Sequence, residues 1–422
     1  MTAHLAARAP PPFINVYSAP KPAGVPEQAF VTLWMLVCYL PLEIFAPLRY
    51  LCILGFIALT VIDYQRILPL LLRAWPLFLV GLFGLLSTFW SANAGAGLRQ
   101  GVLMIISAFV VVVIAGRLTT RQILRTIMFA GMAATLASIP YWDSFRTGGL
   151  YGSKNWFAVH MLFCMLLSLI VSMNDKEPWP LRLLALVFVP VCFVFLFMAQ
   201  SATALVIAVL GGAGLIGVKL VWSPAAGIRG LPTLIILGAI SLAGAVLFII
   251  ASMPQASLVE SFLALVGKDP TLTGRTAIWE GARLAAQERP WLGHGLEGFW
   301  YYDSGAAQTL NEGDFKPYGT RHNFHNAYWE VRVHLGYVGL GLFLFMLAWT
   351  SLRFFLLWLR DGSLLHSALL LLIGVNLIMT FTESGLFGVF TAPVFLQALA
   401  GLLPLGLHQP RFEGRAWLTD RP

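Results

Sequence analysis

The chain has 422 residues; 58% are hydrophobic, only 11% are charged, and the mean hydropathy is +0.79. A soluble domain carries roughly 25% charged residues, so a soluble globular protein is excluded and a polytopic membrane protein is implied. The formal net charge of +8 arises mostly from basic residues in short loops on one side of the membrane and does not point to nucleic acid.

Residues 1–29 are rich in Pro and Ala, with Pro10, Pro11, Pro12, Pro20, Pro22 and Pro26, and lack the apolar core of a signal peptide. They read as a disordered cytoplasmic tail. About twelve apolar spans follow, each long enough for the ~30 Å hydrocarbon core. Their centres fall near Met35, Ile57, Val80, Ser107, Met132, Phe163, Val191, Leu210, Ile240, Phe345, Ile373 and Leu396. Only Gln200-Ser-Ala-Thr203 separates the pair around Val191 and Leu210, which suggests a tight re-entrant hairpin. The sequence thus predicts an all-α membrane helix bundle. Its parts are a first bundle segment over 30–252, a large, partly helical periplasmic loop over 253–325 acting as a lid, a second bundle segment over 326–407, and a cytoplasmic tail over 408–422.

Orientation follows from the basic residues. With the N-terminus inside, Arg66, Arg73, Arg117, Arg121, Arg125, Lys176, Arg182, Lys219, Arg229, Arg353, Arg360, Arg411, Arg415 and Arg421 are cytoplasmic. Short loops on the other side then carry Arg49, Arg99, Arg146 and Lys154 alone. Cys38, Cys52, Cys164 and Cys192 lie within spans without metal-ligand spacing and read as small buried hydrophobes. No internal or inverted repeat is evident. Few ionisable groups fall within spans (Glu43, His160, and Arg332 and His334 near a span's edge), whereas ion-coupled transporters place acidic groups near the midplane. Chemistry at the outer face is therefore favoured over a translocation path.

The long loop holds the candidate chemistry. Gly274 to Arg289 reads as a helix with Thr273 as N-cap and Pro290 as its stop. Arg275, Trp279 and Arg283 recur at four-residue steps and share a face. Arg275 near the helix start suits phosphate oxygens; the competing reading is a solvated amphipathic surface. Phe299, Trp300, Tyr301 and Tyr302 form an aromatic cluster, either for sugar stacking or for the lipid interface. At the loop's end stand Arg321, His322, Asn323, His325 and Asn326. Imidazoles at a membrane boundary are costly without partners, so this reads as a site, with interfacial anchoring as the alternative.

Nucleotide and metal signatures are missing. There is no Asp-x-Asp pair; Glu312-Gly-Asp314 is a near-miss that reads as a solvated loop. There is no phosphate-binding loop, dinucleotide fingerprint or nucleophile elbow. An activated donor must then carry its own leaving group, and at the outer face of a membrane a polyprenyl diphosphate is the natural candidate. No cofactor and no metal are expected.

Three segments together resemble the O-antigen ligase and Wzy-type polysaccharide polymerase superfamily. His325-Asn326, nine further residues and Gly336-x-x-Gly339 resemble its signature. Gly274-Arg275-x-x-x-Trp279 with Pro290-Trp-Leu-Gly-His-Gly295 is similar to its external-loop motif. Leu86-Ser-Thr-Phe-Trp-Ser91 and Gly152-Ser-Lys-Asn155 are similar to its weaker earlier motifs. The resemblance implies a metal-independent, inverting glycosyltransferase of the inner membrane with its site facing the periplasm. Its donor would be an undecaprenyl diphosphate-linked oligosaccharide, and its acceptor a growing polysaccharide or a lipid. It also implies that Arg275 binds the diphosphate and that His325 is base or orienting group, with His322 able to do the same. Trp279, Arg283, Arg321 and Asn326 join the substrate-binding set. The ligase-like Ser-Arg at the turn between middle spans is here Ser201-Ala202, so Arg146 or Lys154, with Asn155, would substitute. That departure favours polymerisation of exopolysaccharide or O-antigen repeats over ligation to lipid A-core or protein. Flippase and chain-length regulator proteins are the partners implied; a non-enzymatic lipid-linked glycan flippase is the alternative of another class.

Overall fold

Long apolar runs broken by short polar turns leave the backbone one way to satisfy itself in lipid, which is the helix. The computed structural model describes residues 23–40, 42–222 and 275–406, with isolated positions 224, 228, 231 and 234 between the last two ranges. Every regular element among them is helical. In chain order they are α1 (Val25–Tyr39), α2 (Ala46–Ile62), α3 (Tyr64–Arg73), α4 (Leu79–Leu86), α5 (Ala94–Arg117), α6 (Thr120–Ser138) and α7 (Lys154–Met173). There follow α8 (Trp179–Ala199), α9 (Ala202–Gly217), α10 (Arg275–Glu288), α11 (Gly305–Gly313), α12 (Ala327–Asp361), α13 (Leu364–Met379) and α14 (Ala392–Gly406).

Seven of the described helices are long and apolar enough to cross a membrane, and α3 with the segment Trp75–Phe89 makes an eighth, bent by 71°. Helices α13 and α14 are shorter and apolar. Eleven of the twelve expected centres fall within described helices; the one near Ile240 lies outside the described residues, as does Thr273. The turn between α8 and α9 departs from the expected re-entrant hairpin. Trp179–Ala199 and Ala202–Trp222 are 21 residues each, so both can span, and Gln200 at φ 52 reverses the chain between them.

Helix α7 is apolar all round and is buried along nearly its whole length, packed by α6, α8 and α9. Around it α8 keeps an exposed apolar face, with Leu183, Val187, Val194 and Phe197 open as a lipid-facing stripe would be. The loops assigned to the cytoplasm are tied to one another. Arg117 pairs with Glu27 and Asp63, Arg125 with the buried Glu177, and Arg182 and Lys219 share Asp175.

Residues 275–325 form a small helical unit with its own core of Ile278, Ala282, Ala286, Phe299, Trp300 and Phe324, sealed by Val333 of α12. The aromatic cluster is therefore split. Phe299 and Trp300 are core side chains, neither sugar-facing nor lipid-facing, and Tyr302 stays exposed.

This unit is spliced into α12. Gly336 leaves the helix at φ 65, ψ −162, freeing main-chain groups that the turn after α10 takes up. Tyr337 N donates to Pro290 O (2.9 Å), Val338 N to Trp291 O (3.2 Å), and His294 N to Val333 O (2.9 Å). A Cβ on Gly336 would lie 2.3 Å from the Trp291 carbonyl, and one on Gly293 2.5 Å from that of His334. The end of α4 joins the same knot: Leu296 N donates to Ser87 Oγ (2.8 Å), Ser91 Oγ to Leu296 O (3.0 Å), and Trp90 Nε1 to Leu292 O (3.3 Å). Three separated motifs are thus one piece of backbone carpentry, which orients the residues on either side of the break.

Candidate active site

The peptide before His325 is gripped from both sides. Phe324 N donates to Glu330 Oε2 (2.9 Å), and Phe324 O accepts from Trp279 Nε1 (2.9 Å). One residue on, Asn326 caps α12, its Oδ1 accepting from Tyr328 N (2.9 Å) and Trp329 N (3.1 Å). Its side-chain amide donates to Phe381 O (3.2 Å), and Ala327 N donates to Thr380 O (2.8 Å). With both neighbours fixed, His325 takes the left-handed conformation at φ 49, a strained choice for a non-glycine residue that its surroundings must hold.

The ring so presented meets Glu383, in the turn between α13 and α14. His325 Nδ1 lies 3.2 Å from Glu383 Oε2, and the other carboxylate oxygen accepts from Arg275 Nη2 at 2.9 Å. Both sides of this chain are largely withdrawn from solvent, with side-chain exposures of 14% for Arg275, 12% for Glu383 and 16% for His325. A carboxylate can only accept, so Nδ1 is the nitrogen that carries a proton toward it, which leaves Nε2 as the basic nitrogen of the neutral ring. The arrangement therefore offers a cation able to hold an anionic oxygen, a nitrogen able to take a proton, and one carboxylate joining them.

His322 stands beside it, its ring centroid 5.3 Å from that of His325. Its Nε2 lies 3.1 Å from Asp314 Oδ2. Burial, with a smaller contribution from the neighbouring His325, lowers its pKa below the ordinary 6.5, so it is neutral at neutral pH. Asp314, which read as solvated loop, is the partner of a histidine.

The remaining expected residues divide. Trp279 and Asn326 hold the backbone around His325. Arg321 reaches back to the buried Glu297, and Arg283 pairs with Glu280 one turn away on the exposed side of α10, the solvated arrangement. Arg146 and Lys154 are exposed. Asn155 accepts from Ser201 Oγ (3.3 Å) and so ties the α8–α9 turn to the start of α7. The next residue, Trp156, lines a small cavity with Thr380, Glu383 and Gly385, which brings the start of α7 against the Glu383 turn.

Glu383 and Glu330 are what sequence reasoning missed. Glu383 is the lone carboxylate between α13 and α14, and that isolation on the external side was the available signal. The expected in-span ionisable groups also resolve. Glu43 is exposed in the turn preceding α2, Arg332 stacks over Tyr337 with Cζ 3.2 Å from the ring centroid, and His334 is buried between Glu330 and the Gly295 carbonyl.

Residues 185–344 match the family Wzy_C, O-antigen ligase, a stretch holding Arg275, His322, His325 and the splice. The chain is also 28% identical over 300 residues to the exopolysaccharide production protein ExoQ of Rhizobium meliloti (strain 1021). That match covers 67% of this chain and 66% of the relative, just under two thirds of its length. The matched family, the relative and the helical membrane fold agree with the motifs: this is a multi-pass membrane protein that is similar, over residues 185–344, to the O-antigen ligase family.

Proposed function

We propose that the protein is a glycosyltransferase that moves a glycan from a polyprenyl diphosphate, undecaprenyl diphosphate in the cell, to a sugar hydroxyl at the periplasmic face of the inner membrane. Its product would be a lengthened polysaccharide. The observation that carries this reading is Glu383, whose two oxygens meet Arg275 and His325.

The donor's diphosphate takes the Arg275 guanidinium in a two-pronged contact, displacing Glu383 from it. His325 Nε2 accepts the proton of the attacking hydroxyl as its oxygen bonds to the anomeric carbon. The bond from that carbon to the diphosphate oxygen breaks, and the polyprenyl diphosphate leaves with its charge held by Arg275. Attack opposite the leaving group inverts the anomeric centre. Glu383 stabilises the imidazolium formed on His325, the role of an orienting carboxylate behind a catalytic histidine. With an arginine supplying the positive charge, no divalent ion is required by the step. The name of the relative, an exopolysaccharide production protein, supports polymerisation; the matched ligase family supports transfer to a lipid or protein acceptor as the second reading.

The test is incubation of purified protein with a lipid-linked oligosaccharide, with and without EDTA. Elongated lipid-linked chains support the polymerase reading, and transfer only to an added lipid A-core supports ligation. A wild-type protein that moves no sugar in either format, while flipping the donor across vesicles, would overturn the enzyme reading.

A further inference from the structure

Beyond His322, the external loop turns three large aromatic side chains to solvent. Phe315 is 97% exposed, Tyr302 64% and Tyr318 60%, far more than a packed loop requires, and exposed apolar surface of this kind marks a ligand site. The group is also built. The rings of Tyr302 and Tyr318 meet edge to face, centroids 5.0 Å apart. Gln308, itself buried, clips the two segments together: its amide donates to Tyr302 O (2.9 Å) and accepts from Gly319 N (2.8 Å). A side chain at Gly319 would strike the Tyr302 ring at 2.5 Å, so glycine there leaves room for that ring. Phe315 takes the left-handed conformation at φ 53, and it directly follows Asp314, the partner of His322.

We infer that Tyr302, Phe315 and Tyr318 form a subsite for the acceptor saccharide, engaging sugar rings several units away from the reacting hydroxyl. This rests on the reading that a sugar hydroxyl is the acceptor. The apolar face of a pyranose, with its C–H groups, packs on an aromatic ring, while its hydroxyls stay at the wet rim. Tyrosine supplies such a surface at little conformational cost because few torsions must be fixed. The competing occupant is the membrane surface, and the local charge opposes it. Asp303, Glu312 and Asp314 flank the rings against a single Lys316, whereas segments that lie on anionic lipid are rich in Lys and Arg.

The experiment measures direct binding, without transfer, of labelled lipid-free oligosaccharides. One, two and four repeats would be prepared from the polysaccharide exported by cells carrying the gene, and full-length protein would be held in nanodiscs. Affinity should rise with chain length. The combined Tyr302→Ala and Tyr318→Ala change should weaken four-repeat binding about tenfold, a 1.4 kcal/mol effect. Tyr302→Phe with Tyr318→Phe should restore it, since the stacking face survives, and Phe315→Ala should give a smaller loss. In transfer assays the alanine pair should raise the acceptor KM with kcat and donor affinity unchanged. Equal binding by the alanine pair, or no length dependence in the wild type, overturns the subsite even if transfer is intact. Loss of association with phosphatidylglycerol vesicles instead of with oligosaccharide assigns the rings to the membrane. Failure of transfer with oligosaccharide binding preserved would count against the enzymatic reading and leave the subsite standing.

Discussion

Glu383 and His325 are 58 residues apart in the chain, and a 3.2 Å contact between carboxylate and imidazole closes that gap across one end of the bundle. The same carboxylate occupies Arg275, so it competes with any anion for that guanidinium while serving the histidine. Glu383→Gln should move two quantities in opposite directions. Transfer should fall on the order of 10²-fold, because the imidazolium loses its counter-charge, while affinity for the polyprenyl diphosphate stays equal or tightens. Parallel loss of both, measured by turnover and by direct donor binding, would mean that the residue is only structural.

Arg275 and Arg283 stand two turns apart on α10 and part company in exposure and partners, Arg275 largely withdrawn from solvent against Glu383 and Arg283 solvated beside Glu280. Arg275→Lys should impair transfer strongly at normal protein level, because an ammonium cannot reproduce a planar fork. Arg283→Lys should leave turnover close to wild type, its charge being solvated beside Glu280. Turnover of both variants in one membrane preparation checks the pair, and a wild-type rate for Arg275→Lys would remove it from the donor site.

The break in α12 makes a stability prediction. Gly336→Ala places a Cβ against the Trp291 carbonyl at a positive φ and should cost at least about 1–3 kcal/mol from the backbone alone. Gly341, five residues on, faces open space. Gly341→Ala should be neutral or slightly stabilising, since Ala is the better helix former by about 1 kcal/mol. Thermal inactivation in detergent, read by size-exclusion chromatography, separates the two.

Acid should loosen the external unit. Burial lowers the pKa of both His322 and His294 below the ordinary 6.5. Each then binds fewer protons folded than unfolded in the window from its lowered value up to 6.5. Stability rises with pH through that window, is complete above it and is lost as the pH falls through it. His325, Asp314 and Lys316 face His322; Glu288, Arg289 and His334 face His294, and the carboxylates offset part of the loss. Hydrogen exchange over residues 275–325 should be faster at pH 5 than at pH 7.5, and less pH-dependent in His294→Gln. A flat profile in the wild type would show that neither imidazole is linked to folding.

How much could be read in advance depends on the range of the interaction. Span positions follow from local hydropathy, which is why eleven of the twelve centres lie in helices. His325 and Arg275 could be singled out because each stands in a local pattern. Glu383 stood out only as a lone carboxylate, and its role was hidden because it depends on a contact across 108 residues to Arg275. Phe299 and Trp300 looked like surface chemistry because aromatic composition is the same whether a ring stacks on sugar or fills a core. The purpose of Ser87, Ser91 and Gly293 was hidden for the same reason: their partners are main-chain atoms some 200 residues off in the case of the serines.

The splice at Gly336 also sets terms for anyone exchanging parts between relatives. Residues 290–296 and 336–338 interlock through main-chain bonds, and the side chains of residues 87–91 bond to main-chain groups of the same turn, so the registers of all three must agree. A chimera that transplants the external loop alone would set a foreign turn into a native break, and the mismatch would surface as misfolded protein before any question of sugar preference could be asked. Carried across as a set, the three blocks should fold as a cassette without rebuilding the bundle beneath.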